Sequence, residues 1–153
     1  MKNLRIICFT ILTISSFGCK NTLHSDEESP NKVSSDQTEI TTILKKYEDL
    51  EGLKLNDSEK WKVDSTTWEY MNQINQINDS YNGNDVTELG KEIKKILNQI
   101  INECKMTGED HNQYHIVLHA LLKDSKKLVS GDLSTNQSIA DYLAVFYYFF
   151  DKE

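Results

Sequence analysis

The chain has little cysteine, and its three cysteines cannot build a disulfide framework. Cys8 lies in the N-terminal leader, Cys19 stands at a predicted cleavage point, and Cys104 is the one thiol left in the body of the chain. Disulfide scaffolds in exported proteins need paired cysteines. A disulfide-held fold is therefore excluded, and the lone thiol calls for another explanation: burial, a metal ion, or pairing with a second chain.

Positive charge is also scarce. The 17 Lys and Arg residues are outnumbered by 24 Asp and Glu residues, which gives a formal net charge of −7. Removing residues 1–18 would take away two basic residues and no acidic one, so the net charge would become −9. Because phosphates repel such a chain, we expect no nucleic-acid binding. The chain also lacks a phosphate loop, a dinucleotide fingerprint and a nucleophile turn, so we expect no enzymatic activity.

No apolar run is long enough to span a bilayer, which takes about 20 residues. The run 6–16 follows two basic residues and has the length of a signal peptide. The stretch Ser-Phe-Gly-Cys that ends at Cys19 resembles a bacterial lipoprotein cleavage box, although serine replaces the usual aliphatic residue. We predict that residues 1–18 are removed and that lipidated Cys19 anchors the protein in the bacterial cell envelope, on the periplasmic face or at the outer membrane. Ordinary secretory cleavage is the alternative.

Proline occurs once, at Pro30, in a polar stretch without apolar periodicity. Such a composition buries too little surface to offset the entropy lost on ordering. We therefore predict that residues 19–40 comprise the lipidated cysteine and a flexible acidic linker, and that residues 41–153 form the folded domain. His24 lies in this linker, and we expect it to be solvated.

The start of the domain has strand character. Alternating apolar residues on either side of Asn56-Asp57-Ser58 predict a small β-hairpin over residues 53–63. Residues 41–52 are ambiguous and are compatible with a short helix that stops at Gly52.

The rest of the domain has the periodicity of helices. Apolar residues recur every three or four positions over residues 64–81, 85–104 and 108–129. Asp64 or Ser65 is the candidate N-cap of the first of these helices and Asp85 that of the second, and the third begins with a pattern, Thr107 to Asp110, that resembles a capping box. Short connections favour antiparallel neighbours, so the predicted fold is all-α: an antiparallel up-and-down bundle of three to four helices.

The last segment, residues 135–153, is apolar nearly all round. A helix of this kind is either packed into a groove on several sides or exposed as an interface. In the second case it would contact a protein partner through its aromatic side chains, Tyr142, Phe146, Tyr147, Phe149 and Phe150.

Three of the four histidines lie within nine residues, close to the lone thiol. Cys104 ends the apolar stripe of the second bundle helix, and Met106 lies in the turn that follows. At about 100° per residue, His111 lies in line with the apolar stripe of the next helix, His115 lies at its rim, and His119 faces water. We predict that Cys104, Met106, His111 and His115 cluster at one end of the bundle.

This cluster has the donors of a soft metal site. A separation of four residues on a helix lets two imidazoles reach one ion. Thiolate, thioether and imidazole favour copper as Cu(I), with zinc as the alternative if methionine takes no part. Met71 is a further candidate donor, and non-covalent haem with His and Met ligands is less favoured. Packing alone is the competing interpretation, because a cysteine at a helix end usually behaves as a small hydrophobe.

The same residues carry a family resemblance. The stretches "LNDSEKWKVD" and "CKMTGEDHNQYHIVLH" resemble a signature of small, largely uncharacterised exported lipoproteins of flavobacteria. The resemblance covers residues 53–122, and the chain departs from it at Lys105 and Thr107, where Thr and Lys exchange order. It implies that the four cluster residues belong to a shared signature, without implying an activity. The matching positions are Leu55, Asn56, Trp61, Lys62, Val63, Asp64, Cys104, Met106, Gly108, His111 and His115.

The sequence thus predicts an exported, membrane-anchored lipoprotein with a helical domain that binds a soft transition metal. A non-catalytic structural or interaction lipoprotein, in which the cluster is only packing, is the alternative.

Overall fold

The computed structural model describes residues 32–153, with side chains from residue 36 onward. This part is mostly helical, as the sequence predicts, and also contains a two-stranded parallel sheet. The predicted signal peptide, Cys19 and the first part of the linker lie outside the described residues. The elements in chain order are α1 Lys32–Lys46, β1 Trp61–Val63, α2 Ser65–Ser80, α3 Val86–Glu103, α4 Gly108–Val129, α5 Asn136–Phe149 and β2 Phe150–Lys152.

The first helix begins inside the stretch that composition assigns to the linker. Residues 32–40 are helical and continue without a break to Lys46. Ile40 and Ile43 are both buried in the core, one helical turn apart. Two apolar side chains on one face of a short polar helix are enough to dock it, although they are too few to stand out as a periodic pattern.

The predicted hairpin is wrong, although its turn is present. Asn56 and Glu59 form an isolated antiparallel bridge, and Asp57 between them has a positive φ of 47°. The strand that follows does not fold back on residues 53–55. Instead β1 pairs in parallel with β2, with Trp61 opposite Phe150. The reason is burial, because these two aromatic side chains both lie in the core.

The predicted starts of the helices are confirmed. The carboxylate of Asp64 accepts a hydrogen bond from the backbone N–H of Thr67 at 2.7 Å, and Asp85 caps α3 through Glu88 N–H at 2.9 Å. The capping box at α4 is wrong. Thr107 is the N-cap residue, but among the described residues its side chain makes no capping hydrogen bond. Asp110 instead accepts from the backbone N–H of Lys62 at 3.0 Å, which ties the first turn of α4 to β1.

Helix α4 lies at the centre of the domain and packs against α3, α5 and β1. It approaches α3 closely at Gly90, where an added Cβ would lie 2.5 Å from the backbone nitrogen of Val129. Glycine is required there because a methyl group would overlap backbone atoms. Among the helices of residues 32–153, none has the length and apolar character needed to cross a bilayer.

The aromatic C-terminal segment belongs to the core. Of its six aromatic residues only Tyr147 and Tyr148 are partly exposed, and the rings of Phe146 and Phe150 stack with centroids 5.3 Å apart. Tyr114 of α4 meets both rings edge-on. The buried aromatic side chains are therefore packing residues and do not offer a surface to a partner. They are Tyr142, Phe146, Phe149 and Phe150.

Candidate functional site: a pocket of one thiol and three imidazoles

The thiol stands where α3 ends. Cys104 is the C-cap residue of α3: its backbone N–H bonds to Ile100 O at 2.8 Å, and its ψ of 127° turns the chain out of the helix. Four residues later Gly108 opens α4 with φ +79°, a conformation that favours glycine. This tight connection brings the end of α3 next to the first turns of α4, which carry His111 and His115.

Cys104, His111 and His115 line one surface pocket, together with His119. The pocket has a volume of about 310 Å³, and its remaining walls are aliphatic side chains from α3 and α4: Ile101, Leu118 and Leu122. The thiol is free and partly exposed. A volume near the lower end of the ~300–1,000 Å³ range of small-molecule sites favours an ion with its ligands over a macrocycle such as haem.

The imidazoles form a ladder along one face of α4. The ring centroids of His111 and His115 lie 4.2 Å apart at an interplanar angle of 76°, and those of His115 and His119 lie 5.5 Å apart. Within the described part of the chain these rings contact one another, and no hydrogen bond to another side chain fixes them. The rings are therefore able to turn toward a ligand in the pocket.

His119 is exposed, as the helical wheel predicts, yet it also lines the pocket. The wheel gives the direction of a side chain but not its reach, and an imidazole at the edge of a pocket contacts both water and the cavity. The signal that identifies it is the spacing of the histidines, four residues apart twice in succession at His111, His115 and His119.

Neither methionine named as a donor lines the pocket. Met106 is partly buried against the hydrophobic core, and it is absent from the described residues that surround the cavity. Met71 is fully buried, and its Sδ accepts a hydrogen bond from the hydroxyl of Tyr114 at 3.7 Å. The chain from residue 104 to 108 is short, so Met106 packs inward beneath the connection.

The two acidic residues next to His111, Glu109 and Asp110, form hydrogen bonds outside the pocket. Glu109 accepts hydrogen bonds from the side chains of Asn112 and Gln113 at 3.1 and 3.0 Å, and these bonds lower the pKa of its carboxyl. Asp110 holds the backbone of β1. They stabilise the start of α4 and do not enter the pocket.

Electrostatics keep the middle imidazole neutral. Burial, and then the nearby rings of His111 and His119, lower the pKa of His115 from its usual value of 6.5. A neutral imidazole is the form that binds metal ions. The charge of Cys104, after the larger effect of burial, raises the pKa of the Tyr114 phenol, which places the thiol close to the core beside the pocket.

The side chains do not converge as a finished metal site. Among the described residues, no group of three or more His, Cys, Asp or Glu side chains is arranged to hold an ion. With metal–nitrogen bonds near 2.0 Å, two imidazoles on one tetrahedral ion have centroids about 5 Å apart. The 4.2 Å between the centroids of His111 and His115 is about 1 Å shorter than that distance, so the two rings would have to move apart slightly and turn to bind one ion.

Comparison with known proteins adds no relative. No protein-family model matches the chain, and no curated protein and no solved structure matches it either.

Proposed function

We propose that this protein is an exported, lipid-anchored binding protein that holds a soft transition-metal ion through Cys104, His111 and His115. The observation that carries the proposal is that these three side chains line a single pocket. The thiolate is a soft donor and imidazole binds both copper and zinc, so the absence of Met106 from the pocket lining leaves both Cu(I) and Zn²⁺ as candidates. With three protein ligands, zinc would keep a fourth position for water.

The anchor and the location are part of the proposal. Lipidation at Cys19 would hold the protein at the periplasmic face or the outer membrane, and the following polar residues would tether the helical domain. The resemblance of residues 53–122 to a signature of exported flavobacterial lipoproteins supports this assignment, because the positions Cys104, His111 and His115 belong to that signature. The role proposed is binding without catalysis.

We also propose that α2 to α5 run antiparallel in up-and-down order. Consecutive helices are joined by short connections and pack against each other. The approach of Gly90, near the start of α3, to Val129, at the end of α4, supports this order. In such a bundle the pocket lies at the end where α3 passes into α4.

Metal titration tests the site. The chain without residues 1–18, with Cys19→Ser to remove the second thiol, is reduced and titrated with Cu(I) and with Zn²⁺ under anaerobic conditions. We expect one ion per chain and a rise in the thermal midpoint, since ligand at 100 times Kd adds about 2.7 kcal/mol of stability. Cys104→Ser, His111→Ala and His115→Ala should each lower the affinity at least about tenfold, the least that disturbing even the surroundings of a metal site costs.

His24→Ala is the matched control, because His24 is the one histidine that the sequence assigns to the linker, and the substitution should leave binding unchanged. If the thermal midpoint does not move at stoichiometric metal and no ion is retained, the cluster is only packing and the proposal is wrong.

A further inference from the structure

The pocket is lined by three imidazoles, and their spacing along α4 suits the binding of one ion by two of them better than by all three. His111 and His119 are eight residues apart, about 12 Å along an α-helix, with His115 midway between them. Metal–nitrogen bonds are only about 2.0 Å long. An ion bound by all three imidazoles would therefore have to lie next to His115, and the side chains of His111 and His119 would both have to extend toward it along the helix. The ladder is better suited to two overlapping pairs that share His115.

The two pairs differ in their surroundings. His111 and His115 lie beside the thiol of Cys104, and both are only partly exposed. His119 is exposed at the other end of the ladder, so the pair His115 and His119 reaches bulk water first. It offers two imidazoles and no thiolate, so it should bind a soft ion more weakly.

Building on the proposed function, we infer that His119 is the ligand through which the ion enters the pocket. The ion binds first to the capture pair, His115 and His119, and then moves to the retaining site, Cys104, His111 and His115. His115 stays bound throughout the move. The bond from the metal to His119 breaks, bonds to His111 and to the sulfur of Cys104 form, the thiol releases its proton to water, and the oxidation state of the metal does not change.

Contacts between neighbouring imidazole rings of α4 support this path. The centroids of His115 and His119 are 5.5 Å apart, near the separation of two imidazoles on one ion, and those of His111 and His115 are 4.2 Å apart. All four donors line the same cavity. The other described side chains of the lining, Ile101, Leu118 and Leu122, are aliphatic and carry no oxygen that would compete for the ion, so it should pass directly from one pair to the next.

A kinetic measurement separates this role from that of an ordinary ligand. Cu(I) is presented to the Cys19→Ser chain, without residues 1–18, as the complex with a coloured chelator, and the transfer is followed by stopped-flow absorbance. His119→Ala should slow association by about fivefold or more while the equilibrium Kd changes less than about twofold. Dissociation should slow by the same factor, because the ion leaves by the path through which it enters.

Two further variants complete the design. His119→Met keeps a soft donor at the mouth and should restore much of the rate, whereas Lys126→Ala, another exposed position of α4, should change neither rate nor Kd. If His119→Ala leaves the rates unchanged, the inference is wrong. It is equally wrong if the variant weakens equilibrium binding without slowing association, since His119 would then belong to the retaining site. Failure of the unsubstituted chain to bind Cu(I) would instead refute the proposed function.

Discussion

Asp141 of α5 contacts the C-terminal end of α1. One of its carboxylate oxygens accepts a hydrogen bond from the hydroxyl of Tyr47 at 2.7 Å and an ion pair from Lys46 at 3.0 Å. The other accepts from the side-chain amide of Gln137 at 2.9 Å. Burial opposes ionisation and raises the pKa of this carboxyl, but the three bonds outweigh it, so the pKa lies below its ordinary value of 3.8.

A lowered pKa makes the contact dependent on pH. A carboxyl of this kind stabilises the fold above its unfolded pKa, and that contribution is lost as the pH falls through 3.8 and then through the lower folded value. We expect Asp141→Asn to reduce the free energy of unfolding by about 1 kcal/mol at neutral pH, a modest value because the group keeps some contact with solvent. The difference from the unsubstituted chain should shrink in acid, as denaturant unfolding at several pH values would show.

Asp151→Asn is the control for this prediction. Its carboxylate pairs only with the exposed side chains of Lys60 and Lys62, so the substitution should change stability little. An equal loss in both variants, or a loss at Asp141 that does not depend on pH, would contradict the role of the bonds at α5.

At the scale of single residues, the candidate site could be predicted only in part from the sequence. Spacing along a helix and the position of a thiol at a helix end were enough to bring Cys104, His111 and His115 to one place. Met106 was predicted to join them but does not line the pocket, because the direction of a side chain in a three-residue connection depends on the space beneath it. The predicted site does not include His119, because a helical wheel separates only buried from exposed positions. A residue at the edge of a pocket is exposed and still lines the pocket.

Gly90 sets the contact between two elements, α3 and α4. Alanine favours helix over glycine by about 1 kcal/mol, so the sequence alone suggests that Gly90→Ala would stabilise α3. The structure gives the opposite sign. The new methyl group would lie 2.5 Å from the nitrogen of Val129 and 2.8 Å from the backbone carbon of Leu128, so one helix would have to move.

We therefore expect Gly90→Ala to lower the free energy of unfolding by about 1–3 kcal/mol, the usual cost of overpacking. Denaturant unfolding followed by circular dichroism measures it. Asn98→Ala, an exposed position on the same helix, should be neutral or slightly stabilising because only propensity acts there. A stabilised Gly90→Ala would mean that the two helices separate at no cost.

The elements themselves were predictable where the signal is local. Helices α2 and α3 are marked by signals inside their own segments: a carboxylate cap at Asp64 or Asp85, followed by apolar residues at helical spacing. The sheet could not be found in this way. Its two strands are three residues each, and β1 pairs with β2 almost ninety positions away, so the nearby turn at Asn56 made a hairpin the simpler interpretation.

At the scale of the whole molecule, the sheet connects two parts of the chain that are far apart in sequence. It joins the segment before α2 to the last residues of the described chain, and the backbone N–H of Glu153 bonds to Val63 O at 3.0 Å. Trp61 and Phe150 are opposite each other and both belong to the one core cluster. The strands β1 and β2 should therefore unfold together with the helices α2 to α5 that lie between them in the chain.

Phe150→Ala tests this coupling. The ring is completely buried against Phe146 and Tyr114, so its loss should cost about 3–5 kcal/mol. Unfolding should remain a single transition, with tryptophan fluorescence and helical circular dichroism changing at the same denaturant concentration. Lys152→Ala, an exposed position of the same strand, should be close to neutral. If fluorescence changed well before the helical signal in Phe150→Ala, the sheet would be an appendage, and the pocket between α3 and α4 would not depend on the C-terminal strand.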